Sequence, residues 1–98
     1  MNSTFNITLS MPFGAQNGVL TLIDVNGTLN GSIRALGKTN YFKDGSMVDN
    51  LFKFSGMLDV GIFKFPYTAN GNIVGDMLKA VTTTNFGTFQ ISGTRIAG

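Results

Sequence analysis

The stretch that decides the fold is residues 70–95, NGNIVGDMLKAVTTTNFGTFQISGTR. Apolar and polar residues alternate through its two halves. The first half places Ile73, Gly75 and Met77 on one face. The second half shows the same spacing at Phe89, Ile91, Gly93 and Arg95. Because a period of two is typical of a β-strand with one buried face, we predict one long β-hairpin here.

Turn-forming residues divide the rest of the chain into similar strands. Asn26-Gly27 and Asn70-Gly71 are signals for a tight hairpin turn that needs positive φ at both positions. Further connections are predicted at Gly37-Lys38, Asp44-Gly45, Val60-Gly61, Asn85-Phe86-Gly87 and a loop over 14–18. The strands then cover residues 3–13, 19–25, 28–36, 40–43, 50–60, 63–67 and the two halves of 70–95.

Four glycines lie in mid-strand on the predicted apolar faces, at Gly31, Gly56, Gly75 and Gly93. We interpret them as kinks that let the strands bend around a small interior, as closed sheets require. The alternative is chance in a chain with 13 glycines. This pattern favours an all-β, eight-stranded, antiparallel up-and-down barrel, closed by pairing the last strand with the first. A two-layer β-sandwich or a partly open barrel is the alternative.

The same features resemble small calycin-type barrels, the architecture of streptavidin and the lipocalins, of a kind found among uncharacterised bacterial proteins. The resemblance rests on Asn26-Gly27, Asn70-Gly71, the four mid-strand glycines and Gly93-Thr94-Arg95, and it covers the whole chain as a pattern. It implies the barrel but no ligand residues. The lipocalin G-x-W signature and the tryptophans of streptavidin's biotin site have no counterpart in a chain without Trp.

Composition limits the classes of function. The 98 residues are expected to form a single domain, 1–98. The net charge of +2 comes from cations scattered singly, so no nucleic acid partner is expected. No apolar run is long enough for a membrane helix, so no membrane partner is expected either. The N-terminal segment lacks the pattern of a signal peptide, which predicts a cytoplasmic protein, although a removed signal peptide would leave no trace.

An enzyme is not expected. His and Cys are absent, which excludes the usual nucleophile–base pairs and makes zinc a poor candidate. All five acidic residues are Asp, and they are predicted in turns or on solvated faces. The glycines of 14–18 lack the Lys-Ser/Thr and the helix of a phosphate-binding loop. The sequence therefore predicts no catalytic residue, no metal and no cofactor.

Ligand binding has better support, from apolar residues in turns. Phe13 and Phe86 are predicted at the same end of the barrel, because alternate turns of an up-and-down barrel share an end. We interpret them as a portal for a small apolar ligand, the alternative being two rings that simply plug the end of the core. Tyr67 is the best polar group for a ligand inside the barrel, with Arg95 and Thr21 next. Arg95 is expected to extend to the rim of the barrel or to pair with an Asp.

The predicted interior is rich in aromatic rings. The inward set comprises Phe5, Phe52, Phe54, Phe63, Phe65 and Phe89, together with Met11 and Met77. An eight-stranded barrel is just wide enough to be filled by side chains or to hold one small ligand. Six rings favour a filled interior, and the inward glycines leave a hollow one as the alternative.

Assembly is the second functional hypothesis. Several apolar residues are predicted on the outer wall, and a contiguous patch of them would mark an interface. We predict Leu20 and Leu22 among them, and a homo-oligomer through Leu51, Met57, Ile62, Val74 and Leu78. The alternative is a sandwich whose sheets are buried on both faces.

Overall fold

A computed structural model of the chain describes residues 1–60 and 63–98, with Val60 and Phe63 described by their backbone alone. Within these ranges no helix is long and apolar enough to cross a membrane. The strands are β1 (Asn2–Met11), β2 (Gly14–Val25), β3 (Thr28–Ala35), β4 (Lys38–Val48), β5 (Leu51–Val60), β6 (Phe63–Val74), β7 (Met77–Thr84) and β8 (Gly87–Ala97).

The strands form one closed barrel in which each strand pairs with its neighbours in the chain, all antiparallel. β1 and β8 close it, with pairs that run from Thr4 and Ala97 to Ser10 and Gln90. This confirms the predicted up-and-down barrel, and the sandwich and the open barrel were the wrong alternatives. Closure pairs the backbone groups that the first and last strands would otherwise leave exposed.

The turns are short, and several are where the sequence predicts them. Asn26 and Gly27 join β2 to β3 with φ values of 55° and 86°, the positive-φ geometry of a tight hairpin. Asn85 and Phe86 join β7 to β8, and β3 turns into β4 at Leu36-Gly37, one residue before the predicted site. The predicted turn at Val60-Gly61 lies outside the described residues.

The predicted loop over 14–18 is wrong, and the error changes which residues face inward. β1 turns into β2 at Pro12-Phe13, and Met11 pairs with Gly14. With a two-residue turn, odd residues of β1 pair with even residues of β2. Because the odd residues of β1 face the interior, Leu20 and Leu22 on β2 are buried as well. The prediction that Leu20 and Leu22 face outward was therefore wrong, as was the prediction that Thr21 faces the interior.

The predicted turn at Asp44-Gly45 is also wrong. Asp44 has φ 61°, but it lies inside β4, where the register with β3 shifts between Leu29 and Gly31. An extra residue in one strand of a pair is a β-bulge. The bulge lets Phe42 and Met47, an even and an odd residue, both face the core. The chain turns later, at Asp49-Asn50.

The predicted turn at Asn70-Gly71 lies instead in the middle of β6, and the chain turns at Gly75-Asp76. Gly75 has φ 60° and belongs to that turn, so it is not a mid-strand kink. Since Ile73 pairs with Leu78 across the turn, Leu78 is buried and Met77 is about half exposed. The predicted facing of both residues was wrong.

The interior is filled by side chains. Phe54 is stacked on Phe42 with ring centroids 3.9 Å apart and on Phe52 at 5.8 Å, and the ring of Tyr67 meets it edge-on at 6.0 Å. The predicted inward residues that are buried are Phe5, Phe52, Phe54, Phe65, Phe89 and Met11. The side chain of Phe63 lies outside the described residues.

The remaining outer-wall predictions have three outcomes. Leu51, Met57 and Val74 are exposed, as predicted. Ile62 lies outside the described residues. Leu78 belongs to the core and cannot contribute to an interface.

Candidate ligand pocket at one mouth of the barrel

The two ends of the barrel have different chemistry. One end carries the turns Pro12-Phe13, Leu36-Gly37 and Asn85-Phe86, and we call it the aromatic mouth. The other end carries the turns at 26–27, 49–50 and 75–76 together with the side chain of Arg95, and we call it the arginine mouth. Alternation of hairpin turns therefore brings Phe13 and Phe86, far apart in the chain, to the same rim.

The aromatic mouth holds an apolar pocket of about 250 Å³. Its walls combine inward residues of the last strands with the tips of two turns. The lining residues are Pro12, Phe13, Phe65, Thr84, Phe86 and Phe89. The rings of Phe65 and Phe86 meet edge to face, with centroids 5.7 Å apart and an interplanar angle of 87°. Phe13 and Phe86 remain 44% and 63% exposed, so both rings present apolar surface to solvent at the rim of the pocket.

The β7–β8 turn holds Phe86 over this pocket through a hydroxyl group. The backbone N–H of Phe86 donates to Thr84 Oγ1 at 3.0 Å, and that hydroxyl donates to the carbonyl of Gly87 at 2.9 Å. Hydroxyl bonds to nearby backbone groups stabilise turns of this kind. The Thr84 hydroxyl is therefore already used by the protein, and the pocket surface is almost entirely hydrocarbon.

Arg95 lies at the arginine mouth and is engaged by the protein itself. Its guanidinium donates to Ser3 Oγ and, at 3.2 Å each, to the carbonyls of Gly98 and Gly75. Its Nε lies 3.2 Å from a carboxylate oxygen of Asp76. The guanidinium carbon lies 5.0 Å from the centre of the Phe5 ring. These contacts give Arg95 a structural role in closing the end of the barrel.

Tyr67 lies inside the barrel, next to the pocket but not on its surface. Its side chain is buried, and burial raises the pKa of the phenol above its ordinary value because the phenolate would lose its hydration. The hydroxyl groups of Tyr67 and Thr82 both lack a hydrogen-bond partner in the part of the chain that the structure describes.

The five predicted ligand-binding residues thus fall in four places. Phe13 and Phe86 meet at the aromatic mouth, and Tyr67 lies in the layer beneath them. Arg95 is at the opposite mouth, and Thr21 faces outward on β2. Among the pocket-lining residues the sequence prediction missed Pro12, Phe65, Thr84 and Phe89, and it also missed Thr82 in the layer beneath them. A signal existed for Thr84, since a threonine directly before Asn85-Phe86 is well placed to bond the turn.

Larger depressions lie on the outer wall, among them two with volumes of about 510 and 640 Å³. They are shallow, open grooves over the glycine-containing parts of the wall. Their sides carry amides, hydroxyls and a lysine, including Asn6, Thr8, Asn70 and Lys79. The pocket at the aromatic mouth is smaller but far more apolar and more enclosed, which favours it as a ligand site.

Comparisons with protein-family models, with curated proteins and with solved structures find no match. The closed eight-stranded antiparallel barrel is the part of the calycin resemblance that the structure supports. No group of three or more His, Cys, Asp or Glu residues is positioned to hold a metal ion within residues 1–60 and 63–98.

Proposed function

We propose that the protein is a non-enzymatic, calycin-like barrel that binds one small apolar molecule at its aromatic mouth. The observation that carries this proposal is the pocket of about 250 Å³ whose surface is four phenylalanine rings, one proline and one threonine. Covering partly exposed rings with an apolar ligand is favourable, by roughly 25 cal/mol for each Å² removed from water. Phe13 and Phe86 supply such surface at the rim.

The volume of the pocket sets the size of the ligand. An engineered cavity of about 150 Å³ holds benzene, and sites for drug-sized ligands begin at roughly 300 Å³. A pocket of about 250 Å³ therefore suits a molecule of one or two fused rings, or an aliphatic chain of similar volume. Side chains fill the interior below the pocket, which favours the mouth as the site for the apolar body of such a molecule.

A Phe86→Asp variant is expected to bind a ligand of this size at least tenfold more weakly, because a carboxylate would replace one apolar wall of the pocket. The measurement is titration with an uncharged naphthalene-based dye whose emission rises in apolar surroundings. Leu36→Asp is the matched control: Leu36 is a half-exposed apolar turn residue on the same mouth but does not line the pocket. Equal binding by both variants, or no binding by the wild type, would contradict the proposal.

Assembly is the second candidate function, and a group of exposed apolar residues on neighbouring strands of the outer wall favours it. Val48 lies opposite Leu51, and Val74 lies opposite Met77, on four consecutive strands. Each of the four is at least half exposed. We call these four residues the wall patch. Two of them, Leu51 and Val74, belong to the interface that the sequence predicts.

The charges around the wall patch suit a second copy of the chain. Asp49 lies in the turn at the arginine mouth, beyond Val48. Lys53 and Lys79 lie on the other side of the patch, further along the wall. A twofold axis through the patch would place Asp49 of one copy near the lysines of the other, as a self-complementary interface requires.

A Leu51→Lys/Val74→Lys variant is therefore expected to elute as a monomer under conditions in which the wild type elutes as a dimer. The lysines would place uncompensated charge in the apolar contact. The control is Tyr41→Lys/Met57→Lys, which adds the same charge at exposed apolar positions outside the wall patch. Light scattering after size-exclusion chromatography measures the mass. A monomeric wild type at high concentration, or a dimer that survives the first double substitution, would rule out this interface.

A further inference from the structure

Two unpaired hydroxyl groups lie in the barrel interior beside the pocket. Tyr67 and Thr82 are only 3% and 1% exposed, and neither hydroxyl has a hydrogen-bond partner among the described residues. A buried polar group without a partner costs roughly 1–3 kcal/mol. Phe and Val would fill the same volumes without that cost, so these two hydroxyls call for an explanation.

The strand register places both hydroxyls in the layer beneath the pocket. Tyr67 follows the pocket-lining residue Phe65 by two positions on the inward face of β6. Thr82 pairs with Phe89, another pocket-lining residue, and precedes Thr84 by two positions. Successive inward residues of a strand are about 6.6 Å apart, so Tyr67 and Thr82 belong to the layer directly below the pocket-lining phenylalanines.

The cross-strand partner of Tyr67 places no side chain against its hydroxyl group. Gly56 pairs with Tyr67 across β5 and β6 and presents no side chain to the interior. A carbon placed at its Cβ position would lie 3.4 Å from the Tyr67 oxygen, an ordinary van der Waals distance. The Tyr67 hydroxyl is therefore not packed tightly against its cross-strand partner.

We propose that the ligand is an amphiphile with a ring-sized apolar body in the pocket and one uncharged hydroxyl or carbonyl group that hydrogen-bonds Tyr67 and Thr82. This inference rests on the proposed ligand-binding function and adds the chemical class of the ligand. An ionised group is unsuited to this layer, because Arg95 lies at the opposite mouth and an unpaired buried charge is costly. Because burial raises the pKa of Tyr67, its phenol stays protonated and can donate to an oxygen.

The test compares two probes of nearly the same shape, 2-naphthol and 2-methylnaphthalene. A pocket without a polar partner would favour the methyl compound, because burying an unpaired hydroxyl costs free energy. We expect the wild type to bind 2-naphthol at least as tightly as 2-methylnaphthalene. Fluorescence titration measures both dissociation constants, and a wild-type preference of tenfold or more for 2-methylnaphthalene would overturn the inference.

The substitutions Tyr67→Phe and Thr82→Val then assign the preference to the two hydroxyls. Each substitution is expected to weaken the binding of 2-naphthol measurably, by up to about tenfold. The binding of 2-methylnaphthalene is expected to stay unchanged or to become tighter. Thermal melts check that each variant folds; if one does not, the wild-type ranking of the two probes decides alone. Wild-type binding of neither probe would overturn the proposed function as well. Binding of both, with no change in their ratio in either variant, would overturn this inference only.

Discussion

A Gly31→Ala variant is expected to lose about 3 kcal/mol or more of unfolding free energy, a large share of the roughly 5–15 kcal/mol that holds a domain together. A Cβ at this position would overlap the carbonyl oxygen of Thr21 and lie 2.8 Å from the ring carbon Cζ of Phe42. The Thr21 carbonyl is backbone, so no change of rotamer relieves the overlap. β2 and β3 would have to separate where they pair.

Gly56→Ala is the matched control for this prediction. Gly56 is also an inward mid-strand glycine, but a Cβ there would make only ordinary contacts, at 3.4–3.6 Å, with Tyr67 and Phe42. We expect an effect between none and about 1 kcal/mol of stabilisation, because alanine reduces the entropy of the unfolded chain. Urea unfolding of both variants provides the comparison. Similar losses in the two would show that close approach at Gly31 is not the cause.

An Arg95→Met variant is expected to be about 2 kcal/mol less stable and to melt roughly 10 °C lower. Methionine keeps the length of the side chain but removes its donors to Ser3 and to the carbonyls of Gly75 and Gly98. It also removes the cation above the Phe5 ring. The β6–β7 turn and the ends of β1 and β8 would lose the group that joins them.

Two further measurements separate these hydrogen bonds from simple charge effects. Arg34→Met removes the same charge from an exposed position on β3, and we expect it to change stability by less than about 0.5 kcal/mol. The loss in Arg95→Met should persist at high salt, because Asp76 is largely exposed and its ion pair contributes little. A loss that disappears in about 1 M salt would assign the effect to that ion pair instead.

The alternation of apolar residues was enough to predict the barrel, but identical turn signals had different outcomes. Asn26-Gly27 forms a turn, whereas Asn70-Gly71 continues β6. Gly71 lies under the Phe52 ring, where a Cβ would be 2.6 Å from its Cζ atom. Packing against a residue on another strand thus outweighed local turn preference, and no local pattern carries that information.

Some residues of the candidate site could likewise be predicted from the sequence, and others could not. Phe13 and Phe86 could be predicted because aromatic residues in turns are unusual and alternate turns share a mouth. Arg95 pairs with Asp76 at the rim, as expected, but its bonds to Ser3 and Gly98 could not be predicted, because they depend on which strand ends meet when β8 closes on β1. The unpaired state of Tyr67 and Thr82 depends on every neighbour in the interior, so it too became visible only in three dimensions.

The sequence by itself determined that the chain is all β, that its strands are joined by hairpins, and that two phenylalanines stand at one end. These features follow from spacing along the chain, where a period of two and short polar breaks are sufficient. Only the tertiary structure decided which residue begins each strand, and with it which leucines are buried. A shift of one residue moves every side chain to the other face, so the inward set is chosen by how well all eight strands pack together.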